Sequence, residues 1–193
     1  MTAVTAVTAD DRRRCALLLT AAVACSGGAG SGSSGSAAAG EGGSEVRRTT
    51  VRLNPTKDNQ AEGSAIFLRQ SGGMTLQVSL QNMPPGVHAV HLHETGDCSA
   101  HDASSAGAHW NPTGAKHGAW GKPPFHLGDI GNVTVGEDGT GSLNLTTDLW
   151  SMGAVADNDL LGKAVIVHAK SDDFTTQPSG AARDCIACGV IRE

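Results

Sequence analysis

Histidines and carboxylates are concentrated in a few short stretches of this 193-residue chain. The segment HLHETGDCSA, residues 91–100, holds two histidines, two carboxylates and a cysteine, although Phe, Trp and Tyr together make up only 3% of the chain. Side chains two residues apart in a β-strand face the same side, so His91 and His93 are expected to project together. His168 ends the strand-like run AVIVHAK, so a neighbouring strand could add a third imidazole. Such a set of nitrogens is typical of a copper or zinc site.

The segment from Thr95 to Asp129 supplies a second group of the same kind. It is rich in Gly, Pro, Ser and His, and a loop of about 35 residues within a compact domain is usually functional. Three histidines and one carboxylate form a plausible tetrahedral set for zinc. Its members are His109, His117, His126 and Asp129.

Short alternating runs surround these residues and predict the elements that position them. The runs are VRRTTVRL, SAIFLR, MTLQVSLQNM, HAVHLH, NVTV, GSLNLTT, GKAVIVHAK and CGVI. Each has the length and alternation of a β-strand. VTVGEDGTGSLNL predicts a hairpin with an Asp-Gly turn. The chain is therefore expected to be an all-β sandwich or barrel with very little helix.

Net charge argues against one class of partner. The formal net charge is -5 and the pI is about 5.9. Nucleic-acid binding needs clustered Lys and Arg, and the body of the chain has no such cluster. We therefore expect no nucleic-acid partner.

The N-terminal segment predicts export. Three arginines precede a short apolar run, Cys15 to Ala24, and small residues flank Cys25, as in a bacterial secretion signal. The run is too short for a permanent transmembrane helix. AVAC followed by Ser and Gly resembles a lipoprotein signal, with Cys25 as the acylated residue; an ordinary cleaved signal is the alternative. Residues 26–45 read as a flexible Gly/Ser-rich tether, and residues 46–193 as the folded domain. The expected location is the cell envelope or periplasm, with any membrane contact through the N-terminal lipid.

The domain resembles copper/zinc superoxide dismutases of the bacterial secreted type. The matching stretches are GVHAVHLHETGDC, SAGAHWNPTGAKHG, HLGDIGNVTV, GKAVIVHAKSDD and IACGVI, and they span roughly residues 47 to 193. The resemblance implies an eight-stranded antiparallel Greek-key barrel. It also implies that superoxide is the substrate and that copper and zinc are the cofactors.

The resemblance assigns roles residue by residue. The implied copper ligands are His91, His93, His109 and His168, and the implied zinc ligands are His109, His117, His126 and Asp129. His109 is the imidazolate that bridges the two metals and takes part in catalysis. Asp172 matches a carboxylate that joins one copper ligand to one zinc ligand. Cys98 and Cys188 match a disulfide, which an oxidising compartment permits.

The sequence departs from the family near its C-terminus. The family carries a guiding arginine where this chain has Cys185, in ARDCIACGVI. Arg183 is the candidate replacement, and Lys170 and Lys163 are weaker candidates. Cys185 and Cys188 could form a redox or metal-binding pair, or Cys185 could be a free thiol beside a retained Cys98–Cys188 disulfide.

Two functions therefore remain open at the level of sequence. The first is an active dismutase that protects the cell envelope. The second is a dismutase-like copper-binding or copper-storage module whose catalysis is impaired because Cys185 replaces the guiding arginine. The sequence does not indicate the oligomeric state. His88 is expected to be a hydrogen-bonded structural histidine, and His101 a loop residue.

Overall fold

The computed structural model describes residues 47–154 and 156–193. The predicted signal segment, Cys25 and the Gly/Ser-rich tether lie outside the described residues. Within the described part of the chain, no helix is long and apolar enough to cross a membrane.

Eight β-strands form the body of the protein. They are β1 (Arg47–Pro55), β2 (Glu62–Gln70), β3 (Gly73–Gln81), β4 (Gly86–His93), β5 (Gly131–Val135), β6 (Gly141–Thr147), β7 (Ala164–His168) and β8 (Cys185–Val190). All neighbouring strands are antiparallel, and they close into a barrel in the order β1-β2-β3-β6-β5-β4-β7-β8. In the described residues the one helical element is a 3-10 turn, Ser104–Ala106. The predicted all-β Greek-key barrel and its eight strands are confirmed.

Alternating side chains explain why these segments wrap around one core. In β3 the apolar residues Met74, Leu76, Val78 and Leu80 are buried, and the intervening Gln77, Ser79 and Gln81 are exposed. The pleat sends every second side chain inward, so one face of each strand is apolar. The inward residues of β1, β2, β3, β4, β5 and β7 belong to one hydrophobic core.

Strand β4 departs from this alternation, because all six residues from His88 to His93 are buried. Val90 and Leu92 lie in the barrel core, so His91 and His93 face outward. Their burial comes from the long connections that follow β4 and β7. The outer face of β4 is therefore an enclosed polar layer outside the barrel.

Candidate metal centre

Strand register brings a third histidine beside the pair on β4. Val90 pairs with Val167 of β7, and both residues belong to the core. The next residue, His168, therefore lies on the outer face with His91 and His93. The ring centroid of His168 lies 4.8 Å from that of His91 and 5.5 Å from that of His93.

The loop after β4 returns along the end of that strand and delivers the fourth histidine. The pairing of β4 with β5 ends at Val90. Beyond that point the Leu92 carbonyl accepts a hydrogen bond from the Trp110 amide, and the Leu92 amide donates to the Gly128 carbonyl. His109 and Asp129, the residues next to these two contacts, are thereby held beside β4. The ring of His109 lies 3.9 Å from that of His91.

Seven residues form two groups that share one member. His91, His93, His109 and His168 make up the first group, and His109, His117, His126 and Asp129 the second; all are buried, and within each group the ligand atoms lie within 4.8 Å of one another. We call them the four-histidine group and the Asp129 group. Either group could hold a metal ion.

Unpartnered nitrogens show that the two groups suit cations. Six buried ring nitrogens have no hydrogen-bond partner: Nδ1 of His91, His117 and His126, and Nε2 of His93, His109 and His168. A buried polar atom without a partner costs free energy. Two bound metal ions, one in each group, would together satisfy all six of them.

The Asp129 group has the dimensions of a small tetrahedral ion. Asp129 Oδ1 lies 2.9 Å from His109 Nδ1, 3.0 Å from His117 Nδ1 and 3.2 Å from His126 Nδ1. Ligands about 2.0 Å from a tetrahedral zinc ion are separated by about 3.3 Å. Asp129 Oδ2 accepts hydrogen bonds from the amides of Gly118 and His126. The residues present therefore fit zinc.

Protein groups on the far side of each ring set its orientation. The rings of His93, His168 and His126 are hydrogen-bonded to the carbonyls of Gly107, Arg183 and Ala115, respectively. In each of these rings the hydrogen bond occupies one nitrogen, and the other nitrogen faces the metal-binding group to which the histidine belongs. Such outer contacts raise the basicity of metal-binding histidines and hold their rings in place.

Asp172 joins the two groups. Its Oδ2 lies 2.9 Å from His91 Nε2, and its Oδ1 lies 2.9 Å from His117 Nε2. The side chain of Asn132 in β5 clamps the Asp172 backbone, donating to its carbonyl and accepting from its amide. One carboxylate thus couples the ring of a barrel-strand histidine to the ring of a loop histidine.

Gly180 closes the space around Asp172. Its φ is +65°, and a Cβ at this position would overlap Asp172 Oδ1 and lie 2.7 Å from His117 Nε2. Gly180→Ala is expected to break the hydrogen bond between His117 Nε2 and Asp172 Oδ1. Zinc binding is expected to weaken by about 10- to 100-fold, which is the usual cost of losing a residue that holds a metal ligand from outside. The measurement is competition for Zn²⁺ with a chelator.

Gly114→Ala provides the matched control for this substitution. Gly114 has the same φ of +65° but no heavy atom within 4 Å of the added Cβ. Both substitutions place an alanine in the left-handed conformation, so each is expected to lower the free energy of unfolding by about 1 kcal/mol or more. Equal zinc affinities in the two variants would contradict the role given to Gly180.

Burial makes the metal-free site sensitive to acid. Burial, followed by the neighbouring His109 imidazole, lowers the pKa of His93 to about 4. Burial also lowers the pKa values of His91 and His168. For Asp129, burial raises the pKa, but hydrogen bonds from His109 and from the amides of His126 and Gly118 outweigh it and lower the pKa overall. Near neutral pH the imidazoles of His91, His93 and His168 in the metal-free site are therefore neutral, and the Asp129 carboxylate is ionised.

Unfolding of the metal-free protein is expected to become easier as the pH falls from 6.5 to 4. The unfolded chain protonates His93 near its ordinary pKa of 6.5, and the folded chain only near 4. The unfolded state binds more protons in this window, so acid removes stability, by up to about 3 kcal/mol for His93 alone. Urea unfolding across the window is expected to show a smaller loss in His93→Gln than in the parent. His101→Gln, at an exposed loop position, is expected to match the parent; a His93→Gln slope equal to the parent's would oppose the prediction.

A pocket of about 680 Å³ opens next to the four-histidine group. Its lining includes His93, His109 and His168, together with Arg183 and Lys116. Arg183, the candidate replacement for the guiding arginine, is thus one of the residues that line the pocket, and its guiding role stays a prediction. Neither Lys163 nor Lys170 lines this pocket.

Three residues of the site carried no signal in the sequence. Lys116 lies at the pocket but looked like an ordinary loop lysine. The Gln177 side chain accepts from the His117 amide and donates to the His117 carbonyl, so it holds that backbone from both sides. Asn132 clamps Asp172. None of the three belongs to a ligand-type pattern. Folded loops bring Lys116 and Gln177 to the site, and Asn132 reaches it from β5.

A disulfide joins the loop after β4 to β8. It links Cys98 to Cys188, as predicted, and leaves Cys185 as the free cysteine of the described residues. The structure therefore does not pair Cys185 with Cys188. Burial, followed by the nearby Asp102, raises the pKa of the Cys185 thiol, which disfavours reactivity as a nucleophile.

The two remaining histidines, His88 and His101, and Trp110 lie outside both groups. His88 is hydrogen-bonded through its two ring nitrogens to the carbonyls of His168 and Pro84, as expected for a structural histidine. Trp110 is 3% exposed and packs in the barrel core. His101 is exposed.

Fold and site together define a β-barrel protein with a composite histidine centre on its outer face. Residues 61–191, more than half of the chain, match the family model for copper/zinc superoxide dismutase. The chain belongs to the copper/zinc superoxide dismutase family.

Solved structures agree with this assignment. A SOD-like protein from Bacillus subtilis is 29% identical, with a TM-score of 0.65, and the match covers 75% of this chain and 97% of that chain. A double mutant of that SOD-like protein is 30% identical, with a TM-score of 0.67 and the same coverage. The clock protein EA4 is 30% identical, with a TM-score of 0.67, covering 78% of this chain and 97% of that chain.

Proposed function

We propose that this protein converts superoxide to dioxygen and hydrogen peroxide, two superoxide ions and two protons giving one molecule of each product. The observation that carries the proposal is the complete pair of groups sharing His109, in a member of this family. Copper in the four-histidine group supplies the one-electron chemistry, and zinc in the Asp129 group supplies fixed positive charge.

The protein's own residues bind the substrate and handle the proton. Superoxide is an anion, and the pocket lining holds Arg183 and Lys116 against Glu94, a net charge of +1 in a chain of net charge -5. This local excess attracts an anion to the pocket. His109 Nδ1 faces Asp129 Oδ1, and its buried Nε2 has no partner. We assign the proton to Nε2 of His109, because His109 lines the pocket and belongs to both groups.

The test is the second-order rate of superoxide decay on the full chain loaded with copper and zinc, measured at two salt concentrations. Arg183→Gln and Lys116→Gln are expected to slow the decay and to reduce its dependence on salt, because salt screens charge attraction. Lys170→Gln, at an exposed position outside the pocket lining, is the control. Negligible decay in the metal-loaded parent would overturn the proposal.

A copper-binding or copper-storage module with impaired catalysis is the second candidate. It is favoured by the presence of Cys185 in the pocket lining, where the family resemblance places a guiding arginine. A slow parent that Cys185→Arg makes fast would support this candidate.

We also propose that the protein is exported and anchored to a membrane of the cell envelope through acylated Cys25. Support comes from the three arginines, the short apolar run and AVAC. Cys25→Ser is expected to release the protein from the membrane fraction, whereas Cys15→Ser, within the apolar run, should not change its location. Mass spectrometry of the mature N-terminus would identify the lipid, and a mature chain that begins elsewhere would contradict the anchor.

A further inference from the structure

Side-chain amides hold the backbone on both sides of Lys116. Oδ1 of Asn111 accepts a hydrogen bond from the Ala115 amide over 3.1 Å, and Nδ2 of Asn111 donates to the Ala115 carbonyl over 2.9 Å. Oε1 of Gln177 accepts from the His117 amide over 3.0 Å, and Nε2 of Gln177 donates to the His117 carbonyl over 2.9 Å. Lys116 is therefore the middle residue of a segment in which each neighbour is held through both of its backbone polar groups.

Both amide side chains line the pocket together with Lys116, but their polar atoms are already paired within the protein. Nε2 of Gln177 also donates to the Thr175 carbonyl over 3.2 Å, so its two N–H groups both have acceptors. Oδ1 of Asn111 also accepts from the Thr113 hydroxyl over 3.3 Å. The amides therefore act on the protein backbone, whereas Lys116 is exposed at the pocket.

The same segment also serves the Asp129 group. His117 is a member of that group, and its ring is hydrogen-bonded to Asp172. The Ala115 carbonyl lies 3.1 Å from Nε2 of His126, a second member of the group. Contacts that fix Ala115 and His117 therefore fix two histidines of the Asp129 group and the backbone of Lys116 together.

We propose that Asn111 and Gln177 are positioning residues, which hold this segment so that Lys116 keeps its ammonium group at the pocket and His117 stays aligned for zinc. A lysine side chain is long and flexible, so a fixed backbone reduces the number of positions that its ammonium group can sample. The inference rests on the proposed function for zinc in the Asp129 group and for an anionic substrate. Its consequence is that zinc affinity and anion attraction depend on the same two amides.

The first experiment measures the zinc affinity of the copper-free full chain, with one equivalent of Zn²⁺ and a competing chelator. Gln177→Met and Asn111→Leu keep much of the side-chain size and remove the hydrogen bonds. Each is expected to lower the zinc affinity by about tenfold, the lower end of the cost of losing a residue that holds a metal ligand from outside. Ser179→Ala, at another position of the pocket lining, is the control and is expected to match the parent. Parental zinc affinity in Gln177→Met and Asn111→Leu would overturn the inference.

The second experiment tests Lys116 with azide, a small anion of one negative charge, on the full chain loaded with copper and saturated with zinc. It is run at an ionic strength of about 10 mM, at which charge attraction extends about 30 Å. Lys116→Gln is expected to lower the azide affinity by up to about fivefold. Gln177→Met is expected to give a similar loss, although the lysine is still present. If Gln177 acts through Lys116, the double variant is expected to bind azide as Lys116→Gln does, within about twofold.

The double variant separates a positioning role from an independent one. Losses that multiply would show that Gln177 acts on the anion without Lys116, and they would overturn the inference. Parental azide affinity in Gln177→Met would overturn it as well. A parent that binds azide as expected but does not decompose superoxide would overturn the proposed function and leave the inference standing.

Discussion

Replacement of His109 by alanine is expected to weaken copper and zinc binding together. His109 is the one described residue common to the two groups. Its Nδ1 lies 2.9 Å from Asp129 Oδ1, and its Nε2 is one of the unpartnered atoms of the four-histidine group. Loss of an outer partner alone costs about 10- to 100-fold in metal affinity, so loss of this ligand is expected to cost each site at least about 100-fold.

Superoxide decay is expected to fall in parallel, since His109 also carries the proposed proton position. The barrel should still fold, because His109 lies in a loop outside the core. Circular dichroism checks the fold, chelator competition measures each affinity, and pulse radiolysis follows the decay.

Two single-group variants serve as controls for His109→Ala. His93→Ala removes a member of the four-histidine group only, and His126→Ala a member of the Asp129 group only. Each is expected to weaken mainly its own metal. If His109→Ala behaved like either one, with the second metal bound at the parental affinity, the shared role of His109 would be wrong.

Removal of the disulfide is expected to cause the largest loss of stability. Cys98 and Cys188 are 90 residues apart in sequence. Closing a loop of that size restricts the unfolded chain and stabilises the fold by about 4 to 5 kcal/mol in the chain-entropy model. Cys98→Ala combined with Cys188→Ala, in a Cys185→Ser background that prevents alternative pairing, is expected to lower the free energy of unfolding by about that amount. Urea unfolding of the metal-free protein measures it.

The background variant is the control for this experiment. Cys185 takes no part in the disulfide, so Cys185→Ser alone is expected to stay within about 1 kcal/mol of the parent. A loss below about 1 kcal/mol in the disulfide-free protein would show that core and loop contacts alone hold the segment after β4 in place.

The strands were predictable because their signal is local. Alternation such as that of Met74, Leu76 and Val78 places one face in the core whatever the rest of the chain does. The same two-residue period put His91 and His93 on one side of β4. Types and spacing of the loop histidines predicted a metal group, and family resemblance added the pairing of Cys98 with Cys188.

The details of the site depend on contacts between distant segments. Asp172 meets His91 and His117 across 81 and 55 residues, and Gln177 grips the His117 backbone across 60. No local period encodes such contacts, because they form only when two long loops close over the barrel. For the same reason Lys163 and Lys170 were candidates for the pocket at the level of sequence, whereas in the folded protein the lysine that lines the pocket is Lys116.

The sequence by itself determined the barrel strands, the two histidine groups and the family. Only the tertiary structure decided which charges reach the pocket. The positions of the strands follow from the pattern of side chains a few residues apart. The positions of the loops follow from hydrogen bonds and burial between segments that are far apart in the sequence.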